Sequence, residues 1–94
     1  LLLWNARRPE DFIYLEELKA SAEVVQLLDN KEAVWDGMRG RMTKEFLQEM
    51  LTEDLLKRAV FFICGPPAMM AAVRTNLTAL GVDNSRMLWE RFAL

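Results

Sequence analysis

Apolar and polar residues alternate along this chain in blocks whose period changes. Leu1-Leu2-Leu3-Trp4 is a short apolar run closed by Asn5, which favours a strand over Leu1–Asn5. Pro9 then suits the first position of a helix, where its missing N–H costs nothing, and Glu10 and Asp11 suit the positive end of the helix dipole. Phe12, Leu15, Leu18 or Lys19, and Ala22 carry that helix on as a stripe to about Ala22. Val24-Val25 and Leu27-Leu28 mark a second strand over Glu23–Leu28. Asp29–Met42 reads as a loop, with Asp29-Asn30, Gly37 and Gly40 as its turn residues.

Thr43 is a good N-cap for a helix that places Phe46, Leu47, Met50 and Leu51 on one face. Ala59–Cys64 has the β-branched and aromatic content of a central strand, apolar on both faces. Gly65-Pro66-Pro67 breaks it. A helix follows from about Pro67 to Leu80, with Met69, Val73, Leu77 and Leu80 as its stripe and Gly81 as its C-terminal cap. Asp83-Asn84-Ser85 turns into a last strand over Arg86–Phe92. Strands and helices alternate throughout, which is the pattern of an α/β fold with a parallel sheet.

The composition narrows what such a fold can do. Ninety-four residues, 52% of them hydrophobic, make one small domain with enough apolar material for a core. The net charge of −2 and the scatter of Lys and Arg argue against nucleic-acid binding, which needs a basic face. The sequence has no His, which removes His-based acid–base catalysis and His-ligated zinc, and its one Cys cannot form an internal disulfide or hold an iron–sulfur cluster. The longest apolar runs, Ala59–Cys64 and Ala68–Val73, are six residues each and too short to span a bilayer. A soluble protein, cytoplasmic or cytoplasm-facing, is the expectation. An apolar strand at the first residue, with no Met before it, reads as a piece of a longer protein.

The sharpest local signal is Cys64-Gly65-Pro66-Pro67, ending a strand and opening a helix. Ligands of open α/β sheets collect beyond the carboxyl ends of strands, and a glycine there lets backbone approach a ligand closely. The same residues also fit a stiff strand-to-helix turn around a buried, inert cysteine. Trp35 has no chemistry of its own and reads as a loop anchor. Met50, Met69 and Met70 fall on predicted apolar faces and read as core.

Phe62-Ile63-Cys64-Gly65-Pro66-Pro67-Ala68-Met69-Met70, followed by a helix and Glu90-Arg91-Phe92, resembles the end of ferredoxin–NADP reductase-type flavoproteins. Leu1–Asp11 is similar to the second strand and following turn of that family's pyridine-nucleotide domain. Asp29–Arg41, with Trp35, Gly37 and Gly40, is similar to the loop after its third strand, as in the NADH-dependent cytochrome and nitrate reductases. The resemblance implies that Cys64 lies beside the nicotinamide and flavin, with Gly65, Pro66 and Pro67 shaping the wall. It implies that Met69 packs against the nucleotide and that Phe92 lies near the flavin face. Ala68 stands where the family often has a third proline, which loosens the turn without abolishing it.

Nucleotide preference rests on two opposed signals. Arg7 and Arg8 follow the first strand, where basic residues favour a 2′-phosphate, whereas Asp29 follows the second, where a carboxylate favours a free 2′-hydroxyl. Asp29 tips the expectation to NADH over NADPH. The four glycines, Gly37, Gly40, Gly65 and Gly81, form no Gly-rich phosphate loop. The family's sheet order, 3-2-1-4-5, implies that its first, central strand, with that loop, is missing here. The fold expected for residues 1–94 is therefore a partial ferredoxin-reductase-like nucleotide-binding domain, α/β with a mainly parallel sheet and flanking helices.

Bare apolar strand edges would demand a partner, so a homo-oligomer is expected. Direct pairing of the flanking strands, or a segment supplied by another chain, would equally cover them. Two functions remain. One is the NAD(P)H-binding portion of a flavin-dependent electron-transfer oxidoreductase, in which NADH passes hydride to FAD or FMN carried by a longer parent. Its partners would be a flavin-binding domain and an electron-acceptor protein, and these residues alone would give no turnover. The other is a non-catalytic oligomerising module with little or no nucleotide binding. A thiol enzyme built on Cys64 is disfavoured, since neither a His nor a second Cys is present to activate it.

Overall fold

A computed structural model describes residues 1–90, which form two compact units divided between Arg41 and Met42. In the first unit, β1 (Leu2–Ala6) pairs in parallel with β2 (Val24–Leu28), in register from Leu2 opposite Val24 to Ala6 opposite Leu28. The short β3 (Met38–Arg39) adds to the far side of β2, also in parallel, giving the order β1-β2-β3. Leu27 and Leu28 are the fully buried centre of this unit.

The helix predicted over Pro9–Ala22 is broken in two. Pro9–Asp11 form a 3₁₀ turn, Tyr14 adopts a left-handed conformation (φ 55°), and α1 covers only Leu15–Ser21. Phe12 is the cause. Its ring turns inward and sits between Trp4, edge-on with centroids 5.2 Å apart, and Trp35, stacked at 5.6 Å. An aromatic cluster of this kind outweighs the helical spacing of Phe12 with Leu15, which remains half-buried.

The loop predicted over Asp29–Met42 contains β3 because it is wound around one side chain. The Arg39 guanidinium donates to the carbonyls of Asn30 (2.6 Å), Ala33 (2.9 Å) and Trp35 (2.6 Å). The Trp35 indole N–H donates to Met38 O at 3.0 Å, and its ring lies against Gly37, where an added Cβ would fall 2.9 Å from it. Asn5 closes the sheet from the other side, donating to the carbonyls of Leu27 (2.8 Å) and Gly40 (3.1 Å).

In the second unit the helix capped by Thr43 is present as α2 (Lys44–Met50), with the Phe46 N–H donating to Thr43 Oγ1 at 3.1 Å. Leu51 is extended and Thr52 starts a further helix, α3 (Glu53–Arg58), by the same capping bond from Leu55 N–H. β4 (Phe61–Cys64) and β5 (Met87–Glu90) pair in parallel, Phe61 opposite Met87 and Cys64 opposite Glu90. The crossover between them is α4 (Pro67–Ala79), which packs on α2 and β4. Ile63, Met70, Val73, Leu77, Val82 and Met87, with Leu47 and Leu51, make the core. The buried stripe of α4 thus runs through Met70 rather than Met69, and Met50 is only half-buried.

β4 is not apolar on two buried faces. Ile63 is buried, but Phe62 is 80% exposed and Cys64 is exposed, because α4 covers one face only. Cys64 is therefore exposed, and not the buried cysteine of a simple strand-to-helix turn. Arg86 ties the start of β5 to the end of α3 and the link into β4 through the carbonyls of Ala59 (3.1 Å) and Leu56 (2.7 Å). Asp83 accepts from Ser85 N–H at 2.8 Å, and that bond holds its carboxyl below the usual carboxylate range.

α4 ends as the sequence predicts. Gly81 takes φ 94°, Val82 N–H reaches Leu77 O and Gly81 N–H reaches Thr78 O, both at 3.0 Å, while Val82 buries itself against the helix end. A Cβ at Gly81 would meet nothing within 4 Å, so the cost of a side chain there is purely conformational. Gly81→Ala should lower stability by about 1 kcal/mol, or roughly 4–8 °C in Tm for a domain of this size, measured by thermal unfolding.

Candidate functional site

Two groups of the predicted site residues assemble, each inside its own unit. The first stands at the carboxyl ends of β1 and β2. A parallel pair delivers both chains to the same edge, and the ladder runs on by one bond, Asp29 N–H to Ala6 O at 2.7 Å. Arg7 and Asp29 consequently leave the sheet side by side. The Asn30 amide donates to Arg7 O (2.9 Å), while its Oδ1 accepts from the N–H groups of Glu32 (3.0 Å) and Ala33 (3.3 Å). Asn30 thereby locks both chain exits into one rigid corner.

The charges at this corner are not equivalent. Arg8 is bound to Asp11, Nη2 to Oδ1 at 2.9 Å, and that carboxylate holds its guanidinium above its ordinary pKa. Arg7 makes no ion pair among the described residues. The Asp29 carboxylate accepts from Arg41 Nε through Oδ2 at 3.0 Å. Both partners of that pair are partly exposed, so it is worth under about 1 kcal/mol and leaves the carboxylate available as an acceptor.

The second group is Cys64 to Met69. Cys64 ends β4 as an exposed free thiol, beside Glu90 of β5 in register. Gly65 follows with φ 151°, a conformation side chains avoid, and the thioether of Met69 lies across it. An added Cβ would overlap Met69 Cε and come within 3.2 Å of its sulfur. Pro66 is the N-cap residue and Pro67 the first residue of α4, and Met70 N–H closes the first turn on Pro66 O at 3.0 Å. Bare backbone, framed by a thiol, two prolines and a half-buried Met69, is thus presented at the end of β4. Phe92, assigned by resemblance to the flavin face, lies outside the described residues.

Neither group holds an acid–base pair, and no cluster of three His, Cys, Asp or Glu side chains fit for a metal occurs among the described residues. What the corner can do is accept a hydroxyl on Asp29 and donate to anionic oxygens from nearby guanidinium groups. What the β4 end can do is let a planar ligand approach backbone closely. Asn30 and Arg41 join the predicted residues here. Asn30 was legible only as a turn residue, and Arg41, twelve positions from its partner, carried no local signal.

The Gly65 geometry fixes the outcome of a substitution. Gly65→Ala should destabilise by about 1–3 kcal/mol, since the backbone conformation itself is refused. Combining it with Met69→Ala should restore only the steric share, which paired urea denaturation curves measure.

The sequence model of the family described as "Oxidoreductase NAD-binding domain" matches residues 1–75. Among curated proteins, the reductase subunit of stachydrine N-demethylase from Rhizobium meliloti is 36% identical over 93% of this chain and 26% of its own length. The electron transfer component of xylene/toluene monooxygenase from Pseudomonas putida is 32% identical over 98% of the chain and 28% of its own length. NADH-cytochrome b5 reductase 2 from Scheffersomyces stipitis is 33% identical over 77% of the chain and 26% of its own length. The chain thus spans about a quarter of the length of these relatives. A solved ferredoxin reductase in carbazole 1,9a-dioxygenase shares the fold, with a TM-score of 0.78 at 24% identity over 98% of this chain and 29% of that one. With parallel sheets, flanking helices and a family match over most of its length, the chain belongs to the oxidoreductase NAD-binding domain family.

Proposed function

We propose that this chain is the NADH-binding part of a flavin-dependent reductase that feeds electrons to a partner protein. The observation that carries the preference for NADH is Asp29, held at the end of β2 beside Arg7 by the Asn30 bond to Arg7 O. A carboxylate there accepts the ribose 2′-hydroxyl and opposes a 2′-phosphate. The names of the relatives, a demethylase reductase subunit, a monooxygenase electron transfer component and a cytochrome b5 reductase, agree with that role.

The residues divide the task. Asp29 binds the ribose, Asn30 fixes Asp29 in place, and Arg7 adds positive potential for phosphate oxygens. In the second unit, taken by itself, Gly65 would admit a nicotinamide close to backbone, with Pro66 and Pro67 holding the turn rigid and Met69 packing against the ring. Cys64 would stand where hydride passes, shaping the approach rather than taking a proton. Bound NADH supplies the hydride, and a flavin, FAD or FMN, carried by the rest of a longer protein receives it. Residues 1–94 are in this reading an incomplete NAD(P)-binding domain that gives no turnover alone.

A second reading, a non-catalytic module that oligomerises, has one observation in its favour. Phe62 (80% exposed) and Leu88 (48% exposed) are paired neighbours on the open face of the β4-β5 sheet, and an apolar face of that kind invites a second copy.

Titration of the purified chain with NADH and NADPH, followed by the fluorescence of Trp4, Trp35 and Trp89, separates the readings. Saturable quenching that is tighter for NADH is expected. Asp29→Asn should weaken NADH about tenfold and narrow its advantage over NADPH, as expected for losing a charge-assisted hydrogen bond. Absence of binding at millimolar nucleotide, with concentration-dependent association in its place, would favour the oligomerising module.

A further inference from the structure

We propose that Arg41 is a specificity-determining residue: its contact with Asp29 softens the refusal of a 2′-phosphate and lets the site accept NADPH as well as NADH. The inference rests on the reading of Asp29 as the ribose ligand. A lone carboxylate at the ribose would repel the phosphate dianion, and Asp29 is not alone. Its Oδ2 is engaged by Arg41 Nε at 3.0 Å, so the pair presents an acceptor and a donor side by side with little net charge.

The other arginines of this unit do not compete for the role. Arg8 is held by Asp11, and Arg39 is held by three backbone carbonyls. Arg7 stands at the same corner but makes no ion pair with Asp29. Arg41 touches Asp29 through Nε alone, and its two terminal amino groups make no other hydrogen bond among the described residues. Those groups are the donors that a 2′-phosphate would find next to the acceptor that a 2′-hydroxyl would find. A guanidinium suits this because it can hold a carboxylate on one edge and bind phosphate oxygens on another.

The position of Arg41 is built rather than accidental. Gly40 N–H donates to Leu28 O at 2.9 Å and Gly40 O accepts from Asn5 at 3.1 Å, which pins the residue before Arg41 to the end of β2. Gly40 has φ 130°, a conformation that glycine tolerates and that turns the chain back over the strand end from which Asp29 emerges. The side chain of Arg41 is 76% exposed, so replacing it leaves the fold intact.

The test is the ratio of NADPH to NADH dissociation constants, from tryptophan quenching of the full chain, for the unaltered protein, Arg41→Ala, Arg41→Lys and Arg41→Ala with Asp29→Asn. Arg41→Ala should weaken NADPH about tenfold and change NADH less than about threefold. Arg41→Lys, which keeps the charge, should recover most of the NADPH affinity, and adding Asp29→Asn should remove the discrimination. Far-ultraviolet circular dichroism checks that each variant is folded. Equal weakening of both nucleotides would make Arg41 a prop for Asp29 and overturn the proposal, as would no change in either. Binding of neither nucleotide by the unaltered chain would instead refute the ribose assignment of Asp29, and this proposal with it.

Discussion

Parallel pairing of β1 with β2 is the constraint from which the candidate site follows. Two strands that run the same way end at the same edge, so whatever follows Ala6 must emerge beside whatever follows Leu28. One extra ladder bond and one asparagine amide then fix Arg7 next to Asp29. An antiparallel pair of the same composition would have sent these residues to opposite ends. The chemistry of the corner, an acceptor among guanidinium groups, is therefore a product of topology before it is a product of residue choice.

The loop after β2 supports that corner by an unusual economy of means. Its backbone carbonyls cannot form a ladder with one another, so Arg39 gathers three of them and Asn5 takes a fourth. This satisfies polar groups that would otherwise compete for β2. It also returns the chain to β2 as β3, which delivers Gly40 and Arg41 to the strand end. Loop order here comes from charge-assisted hydrogen bonds at Arg39, which like Met38 is exposed, together with the stacking of Trp35 on Phe12.

Much of the fold was legible in the sequence because it depended on local patterns. Apolar runs marked β1, β2, β4 and β5, Thr43 marked the start of α2, and Gly81 marked the end of α4. The features that escaped were decided by partners distant in sequence. Phe12 fits a helical stripe until Trp4 and Trp35 draw it inward, and no spacing within Pro9–Ala22 contains that information. Phe61-Phe62-Ile63-Cys64 looks apolar on both sides, yet only one side has α4 to cover it. The site divided in the same way. The Gly65 turn was readable from its own residues, and the opposition of Arg7 to Asp29 from their place after each strand. Arg41 became visible only once the loop had folded.

The central claim is that nucleotide is bound at strand ends, by Asp29 after β2 in the first unit and at Gly65 after β4 in the second. The most direct test is an amide ¹H–¹⁵N spectrum of the chain recorded during titration with NADH. Shifts are expected at Ala6–Arg8, Asp29–Asn30 and Gly40–Arg41 in the first unit and at Cys64–Met70 in the second, with α3 unaffected. Shifts centred on Phe62 and Leu88 that depend on protein concentration, and none at the strand ends, would contradict that claim.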